Sequence, residues 1–281
     1  MGKRVFLLGD SFTENLYQTQ LEVRNTGGPR IGEIRKYIDY VIENTGECPL
    51  YFDDWLRKWG YEVHNFGMGG CSIHHIFNQF AQIDSEFRPG DRLIVNWTDP
   101  QRLDWLRGDG RISTLGPNQY AEEPKVMRAI QDQLILRMKS IQNEDGYGYL
   151  RNQTLFFASK LVDLHAKYKP IQWSPFGDIS EALQSYVWYF FEPHHRMFKD
   201  FIPEWDMLFI DSETGGICND KHYSRLGNYY VALAFKTIME EGDEFNGDWK
   251  NESLLEKVSS VFKNNPPNFA PINWKLKIAR G

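Results

Sequence analysis

The stretch Arg4-Val5-Phe6-Leu7-Leu8-Gly9-Asp10-Ser11-Phe12 sets an apolar run directly against Gly-Asp-Ser. Charge bounds the run on one side and Gly-Asp on the other, which is the pattern of a buried strand. Ser11 then sits just past the strand's C-terminal end, the edge at which open α/β sheets bind ligands. Taken alone, the tripeptide reads more readily as an Asp-Ser turn or a helix cap than as a nucleophile. Its meaning depends on what the other strand ends carry.

Strand-like runs recur along the chain. Tyr61 to Phe66 reads as a second strand, followed by Gly67-Met68-Gly69-Gly70-Cys71-Ser72 and a helix from Ile73 to Phe87. Strand, Gly-rich turn and helix make the βα unit of a parallel sheet. The glycines permit close approach of backbone N–H groups to a ligand, or simply a tight turn with close helix packing. The turn is not G-x-G-x-x-G, so a dinucleotide site has little support. Arg92 to Trp97, Pro170 to Pro175 and Trp205 to Asp211 read as strands three to five. The expected fold is therefore α/β with a five-stranded, mostly parallel sheet.

Helical spacing predicts helices over Ile31–Glu43, Phe52–Lys58, Lys125–Gln142, Asn152–Tyr168, Ile179–Phe191 and Arg225–Glu240, the last with Ser224 as its N-cap. Thr13 to Gly28 reads as a long polar segment, an insertion near the strand-one edge. Arg107 to Glu123, rich in Gly and Pro, reads as irregular. Residues 1–241 form the expected main domain. Residues 242–281 form an extension, with a helix over Asn251–Phe262, a break at Asn264-Asn265-Pro266-Pro267-Asn268 and an extended remainder.

Composition narrows the class. With 41% hydrophobic and 25% charged residues the 281-residue chain is globular rather than disordered. A net charge of −6 without a long basic run argues against nucleic acid as a partner. No apolar run has the length of a membrane span, and the N-terminus lacks the apolar region and cleavage site of a signal peptide. Three cysteines, Cys48, Cys71 and Cys218, are too few and too irregularly spaced for a disulfide framework or a zinc site. His194-His195 does not make a metal site, because adjacent side chains diverge and no carboxylate cluster accompanies them. Nine Trp among 15% aromatics fit a packed core or a groove that stacks on sugar rings.

Chemistry then gathers at three strand ends: Ser11 after strand one, Gly67–Gly70 after strand two, and Asp220 and His222 after strand five. A parallel sheet opens all three loops on one side. A Ser hydroxyl needs a base within hydrogen-bond reach, which His supplies near neutral pH. A carboxylate must orient the imidazole, and Asp220 lies two residues before His222. Backbone N–H groups of Ser11 and Gly70 are candidates for an oxyanion hole, worth about 3 kcal/mol per donor in comparable sites.

These residues resemble the SGNH (GDSL-like) hydrolase superfamily of serine esterases and related acyl-transfer enzymes. Gly9-Asp10-Ser11-Phe12 matches its first block and Asn65-Phe66-Gly67-Met68-Gly69-Gly70 its second. Asp220-Lys221-His222-Tyr223-Ser224-Arg225-Leu226-Gly227-Asn228 matches its last. The resemblance covers residues 1–241. It implies a three-layer α/β/α sandwich of flavodoxin-like type, with Ser11 as nucleophile, His222 as base, Asp220 as orienting acid, and Ser11 and Gly70 in the oxyanion hole. No metal or organic cofactor is required. The family's Asp often lies three residues before the His, which is Asn219 here; the shorter spacing, also found in the family, selects Asp220.

The third block departs further. The family has Gly-x-Asn-Asp after strand three, where this chain has Val95-Asn96-Trp97-Thr98-Asp99-Pro100-Gln101-Arg102. Ungapped, the Asn position falls near Asp99 or Pro100, so a side-chain oxyanion donor is missing or supplied elsewhere. Trp97-Thr98 with Arg102 resembles a variant found in SGNH-like proteins of bacteriophages and some bacterial polysaccharide loci. Arg102 either binds an acidic sugar or pairs with Asp99 or Asp104. The implied activity is hydrolysis of an ester-linked acyl group, such as acetyl, from a small molecule or glycan, in the cytoplasm or on a virion. The alternatives are a non-catalytic glycan-binding or phage-particle module, and a lipase or lysophospholipase.

Overall fold

The computed structural model describes residues 3–26, 33–98, 102–106, 112–115, 170–173, 222–241 and 252–272. Four strands form a parallel sheet in the order β2-β1-β3-β6: β1 is Arg4–Leu8, β2 Glu62–Asn65, β3 Arg92–Asn96 and β6 Ile171–Trp173. β3 pairs in parallel with β6, with Ile94 opposite Ile171 and Asn96 opposite Trp173. Helices join these strands, so the architecture is α/β. The expected fifth strand, residues 205–211, lies outside the described residues, as do the helices expected over 125–142, 152–168 and 179–191.

The chain divides into two compact units. One comprises Met1–Val5, Glu14–Asn65 and Pro193–Gly281; the other comprises Phe6–Thr13 and Phe66–Glu192. The first unit carries α1 (Leu16–Thr26), α2 (Glu33–Thr45) and α3 (Phe52–Lys58); the second carries most of β1, all of β3 and the helix α4 (Ile73–Ile83). Alternation along the strands sends Phe6, Leu8, Leu93 and Val95 to one face. Ile73, Ile76 and Ile83 of α4 meet them there, with Cys71, Phe87 and Trp97 completing the buried cluster. Their spacing on α4 is the helical stripe visible in the sequence.

The first unit is held by α5 (Arg225–Glu241), which packs on α3 and on α6 (Glu252–Asn264). Val231 to Phe235 of α5 are all buried, as are Ile238 and Met239. From α6, Val258 and Phe262 are buried, and the Phe262 ring lies 5.0 Å from that of Tyr230. Among the described residues no helix is long and apolar enough to cross a membrane.

Two sequence expectations need correction. The polar segment after Ser11 contains α1. Asn15 Oδ1 accepts from the Gln18 N–H (3.0 Å) as its cap, and Tyr17 is buried against the rings of Tyr37 and Tyr51. The stretch read as irregular after Arg107 contains β5 (Ile112–Leu115), paired antiparallel with β4 (Leu103–Leu106). Alternating residues on both sides of the sequence Gly108-Asp109-Gly110 are a hairpin signal.

Candidate active site

At the C-terminal end of β1 the backbone is gripped from two sides. The Gly9 N–H donates to Gln79 Oε1 (2.9 Å), and Gln79 Nε2 returns a bond to the Gly9 carbonyl (3.1 Å). The same carbonyl accepts from the Met68 N–H (3.0 Å) and the Cys71 thiol (3.3 Å). Gly9 itself has a φ of 153°, and a Cβ there would lie 2.3 Å from Thr13 Oγ1 and 2.7 Å from Asn96 Cβ. Only glycine fits this approach.

Asp10 is fully buried and its carboxylate has four donors. Oδ1 accepts from the Phe12 N–H (3.0 Å) and from Asn96 Nδ2 (2.7 Å). Oδ2 accepts from Thr98 Oγ1 (2.8 Å) and from the Arg102 guanidinium (2.9 Å). Arg102 also donates to Thr98 Oγ1 (2.8 Å). A buried carboxylate is tolerated only when paired and hydrogen-bonded, and this one is both. Arg102 thus pairs with Asp10; Asp99, one of the partners expected for it, lies outside the described residues. The Asn96 amide, at the end of β3, is turned to Asp10.

The Asp10 carbonyl accepts from the Thr13 N–H (2.9 Å), which closes a tight turn. Ser11 occupies that turn and is half-buried. Gly70 lies between Met68 and Cys71, both bonded to Gly9, so its turn is drawn to the same strand end. It takes the left-handed φ of 75° and is half-buried, with open space where a Cβ would stand. Ser72 then caps α4 by accepting from the His75 N–H (3.4 Å). The structure therefore brings Ser11 and Gly70 to one strand end of one unit.

His222 belongs to the other unit, and Asp220 lies outside the described residues. His222 is half-buried, and the backbone leaving it is pinned. The Tyr223 carbonyl accepts from Tyr17 Oη (2.9 Å) and Asn228 Nδ2 (3.0 Å). Ser224 Oγ accepts from the Gly227 N–H (3.0 Å), the N-cap read from the sequence. The Arg225 N–H donates to Tyr37 Oη (2.8 Å). Asn228 is buried, and its Oδ1 accepts from the Phe52 N–H (3.1 Å), tying α5 to α3.

The same unit holds a buried acid the sequence did not single out. Asp53 accepts from Asn15 (2.8 Å), Asn65 (3.0 Å) and Arg57 (2.8 Å), while Asn15 also donates to Asp54 (2.9 Å). Burial pushes the Asp53 carboxyl above its usual range, the Asp54 charge pushes it further, and Asn65 and Arg57 pull it back. Asn65, at the end of β2, is thereby held on Asp53.

Asn96, Thr98, Arg102 and Gln79 are the residues missed as partners of the Gly-Asp-Ser turn. A polar residue ending the buried run Leu93-Ile94-Val95-Asn96 was their available signal, since a buried amide requires a partner. No protein-family model matches the chain, and no curated protein shows significant similarity to it.

Proposed function

We propose that the protein is a serine esterase of the SGNH type that removes an ester-linked acyl group, such as acetyl, from a carbohydrate or small molecule. The observation that carries this reading is the placement of Ser11. It stands on a turn at the C-terminal edge of a parallel strand, behind a Gly9-Asp10 pair fixed by buried hydrogen bonds. Preorganisation of the residues before a nucleophile is what acyl transfer requires.

In this mechanism Ser11 Oγ attacks the ester carbonyl carbon as its proton passes to His222, oriented by Asp220. The N–H groups of Ser11 and Gly70 stabilise the oxyanion. Collapse breaks the bond to the alcohol oxygen, which leaves with the His222 proton. Water, deprotonated by His222, then attacks the acyl-enzyme, releases the acid and returns the proton to Ser11. With no side-chain donor from Asn96, the two backbone donors carry the oxyanion.

p-Nitrophenyl acetate turnover by the parent and by Ser11→Ala tests the proposal. The expected loss of kcat is roughly a thousandfold or more. The commitment of the Asn96 amide to Asp10 favours a second reading, a non-catalytic glycan-binding or particle-building module of the same fold. A fluorophosphonate probe separates the two: labelling at Ser11 supports the esterase. Equal turnover by both proteins together with no label leaves the module.

A further inference from the structure

The unit that contains His222 also holds a cleft of about 580 Å3, between the end of α2, α3, the start of α5 and the segment after α6. Small-molecule sites commonly occupy about 300–1,000 Å3. Four rings line it as a connected cage: Trp55, Trp59, Tyr229 and Phe269, with centroid separations of 5.1 to 6.2 Å. Tilted and edge-on contacts among the rings fix one another's orientation. Trp55, Trp59 and Phe269 each remain only half-buried, so aromatic surface is left for a ligand.

The wall supplied by the chain after α6 is anchored at both ends. Tyr229 Oη donates to the Asn265 carbonyl (2.8 Å) and Arg225 to the Ala270 carbonyl (3.0 Å). The Arg225 guanidinium lies 4.8 Å from the centre of the Phe269 ring. A wall fixed in this way lowers the ordering cost of binding.

Charge selects the ligand. Lys58 stands over the Trp55 ring at 4.7 Å, is exposed, and has no carboxylate partner among the described residues. Glu47 in the lining offers an acceptor for hydroxyl groups. Asn268 adds both a donor and an acceptor. Ring faces for the C–H face of a pyranose, acceptors and donors for its hydroxyls, and an exposed lysine for a carboxylate are the requirements of an acidic sugar.

We propose that this cleft binds a carboxylate-bearing saccharide, with a sugar ring stacked in the Trp55–Trp59–Phe269 cage and its carboxylate on Lys58. The site is independent of whether Ser11 is reactive, and residues 265–270 are part of its wall.

Calorimetric titration of the full chain tests it, with trigalacturonate, maltotriose and inorganic phosphate as ligands. Trigalacturonate binds, and maltotriose binds at least about fivefold more weakly, the worth of about one paired charge. Lys58→Gln, an exposed change, brings trigalacturonate down to the maltotriose level. Trp59→Ala weakens both sugars about tenfold or more, with thermal melting monitored in both variants. No trigalacturonate binding, equal affinity for the two sugars, an unchanged Lys58→Gln, or phosphate binding as tight as trigalacturonate would each overturn the proposal.

Discussion

Gly9 and Asp10 differ from Ser11 in what their loss does. Alanine at position 9 drives a Cβ into Thr13 and Asn96 and holds a side chain at a φ that only glycine adopts readily. Overpacking and backbone strain together set an expected cost of about 3 kcal/mol, read as a lower urea midpoint for Gly9→Ala. Asp10→Asn replaces a carboxylate that has four donors by an amide that must turn its own donor toward two of them, and removes the buried charge that Arg102 meets here. Breaking one side of a buried ion pair costs about 3–5 kcal/mol. Ser11→Ala, by contrast, shifts the midpoint by less than about 0.5 kcal/mol while abolishing esterase turnover. A Ser11→Ala protein as destabilised as Asp10→Asn would give Ser11 a structural role and remove the distinction.

At the scale of elements, α1 shows how local chemistry and tertiary packing share the work. Asn15 caps the helix through Oδ1 and uses Nδ2 to bind both Asp53 and Asp54. Asn15→Ala removes the cap and leaves a buried carboxylate short of a donor, so it is expected to cost about 2 kcal/mol by urea unfolding. A change below about 0.5 kcal/mol, the scale of an ordinary surface substitution, would mean the cap is idle. The cap was legible, since Asn15 precedes Gln18 at the capping-box spacing. The helix was not, because Leu16 and Tyr17 are neighbours and make no periodic stripe. α4 and the Ser224 cap were legible for the converse reason: the apolar spacing of α4 and the N-cap of α5 agree with their packing. The β4–β5 hairpin was hidden because its Gly-Asp-Gly sequence suggests irregular chain as readily as a turn.

At the scale of the whole molecule, the sequence displayed the placement of Ser11, Gly70 and His222 in loops but concealed the partners of Asp10. Asn96, Thr98 and Arg102 are 86, 88 and 92 positions away, and no local spacing announces such a cluster. Asp53 was concealed in the same way, since its partners Asn15 and Asn65 lie 38 and 12 positions away. Its burial makes global stability depend on pH in a predictable direction. The folded-state pKa of Asp53 is raised above the ordinary 3.8, first by burial and then by Asp54. The folded protein therefore takes up this proton at a pH where the unfolded chain is still ionised. The native state binds more protons across that interval, so stability from this group falls as pH rises through it. Above the raised pKa the whole penalty is present; below the unfolded value it is absent. Asp53→Asn carries no charge at any pH and lacks the slope, and the repulsion arising from the chain's net charge of −6 is largely common to both proteins. The expected outcome, from urea midpoints of parent and variant at a series of pH values upward from about 4, is that the parent loses stability relative to Asp53→Asn as pH rises. A difference that stays constant or grows in the parent's favour would show that Asn15, Asn65 and Arg57 fully offset the burial of the charge.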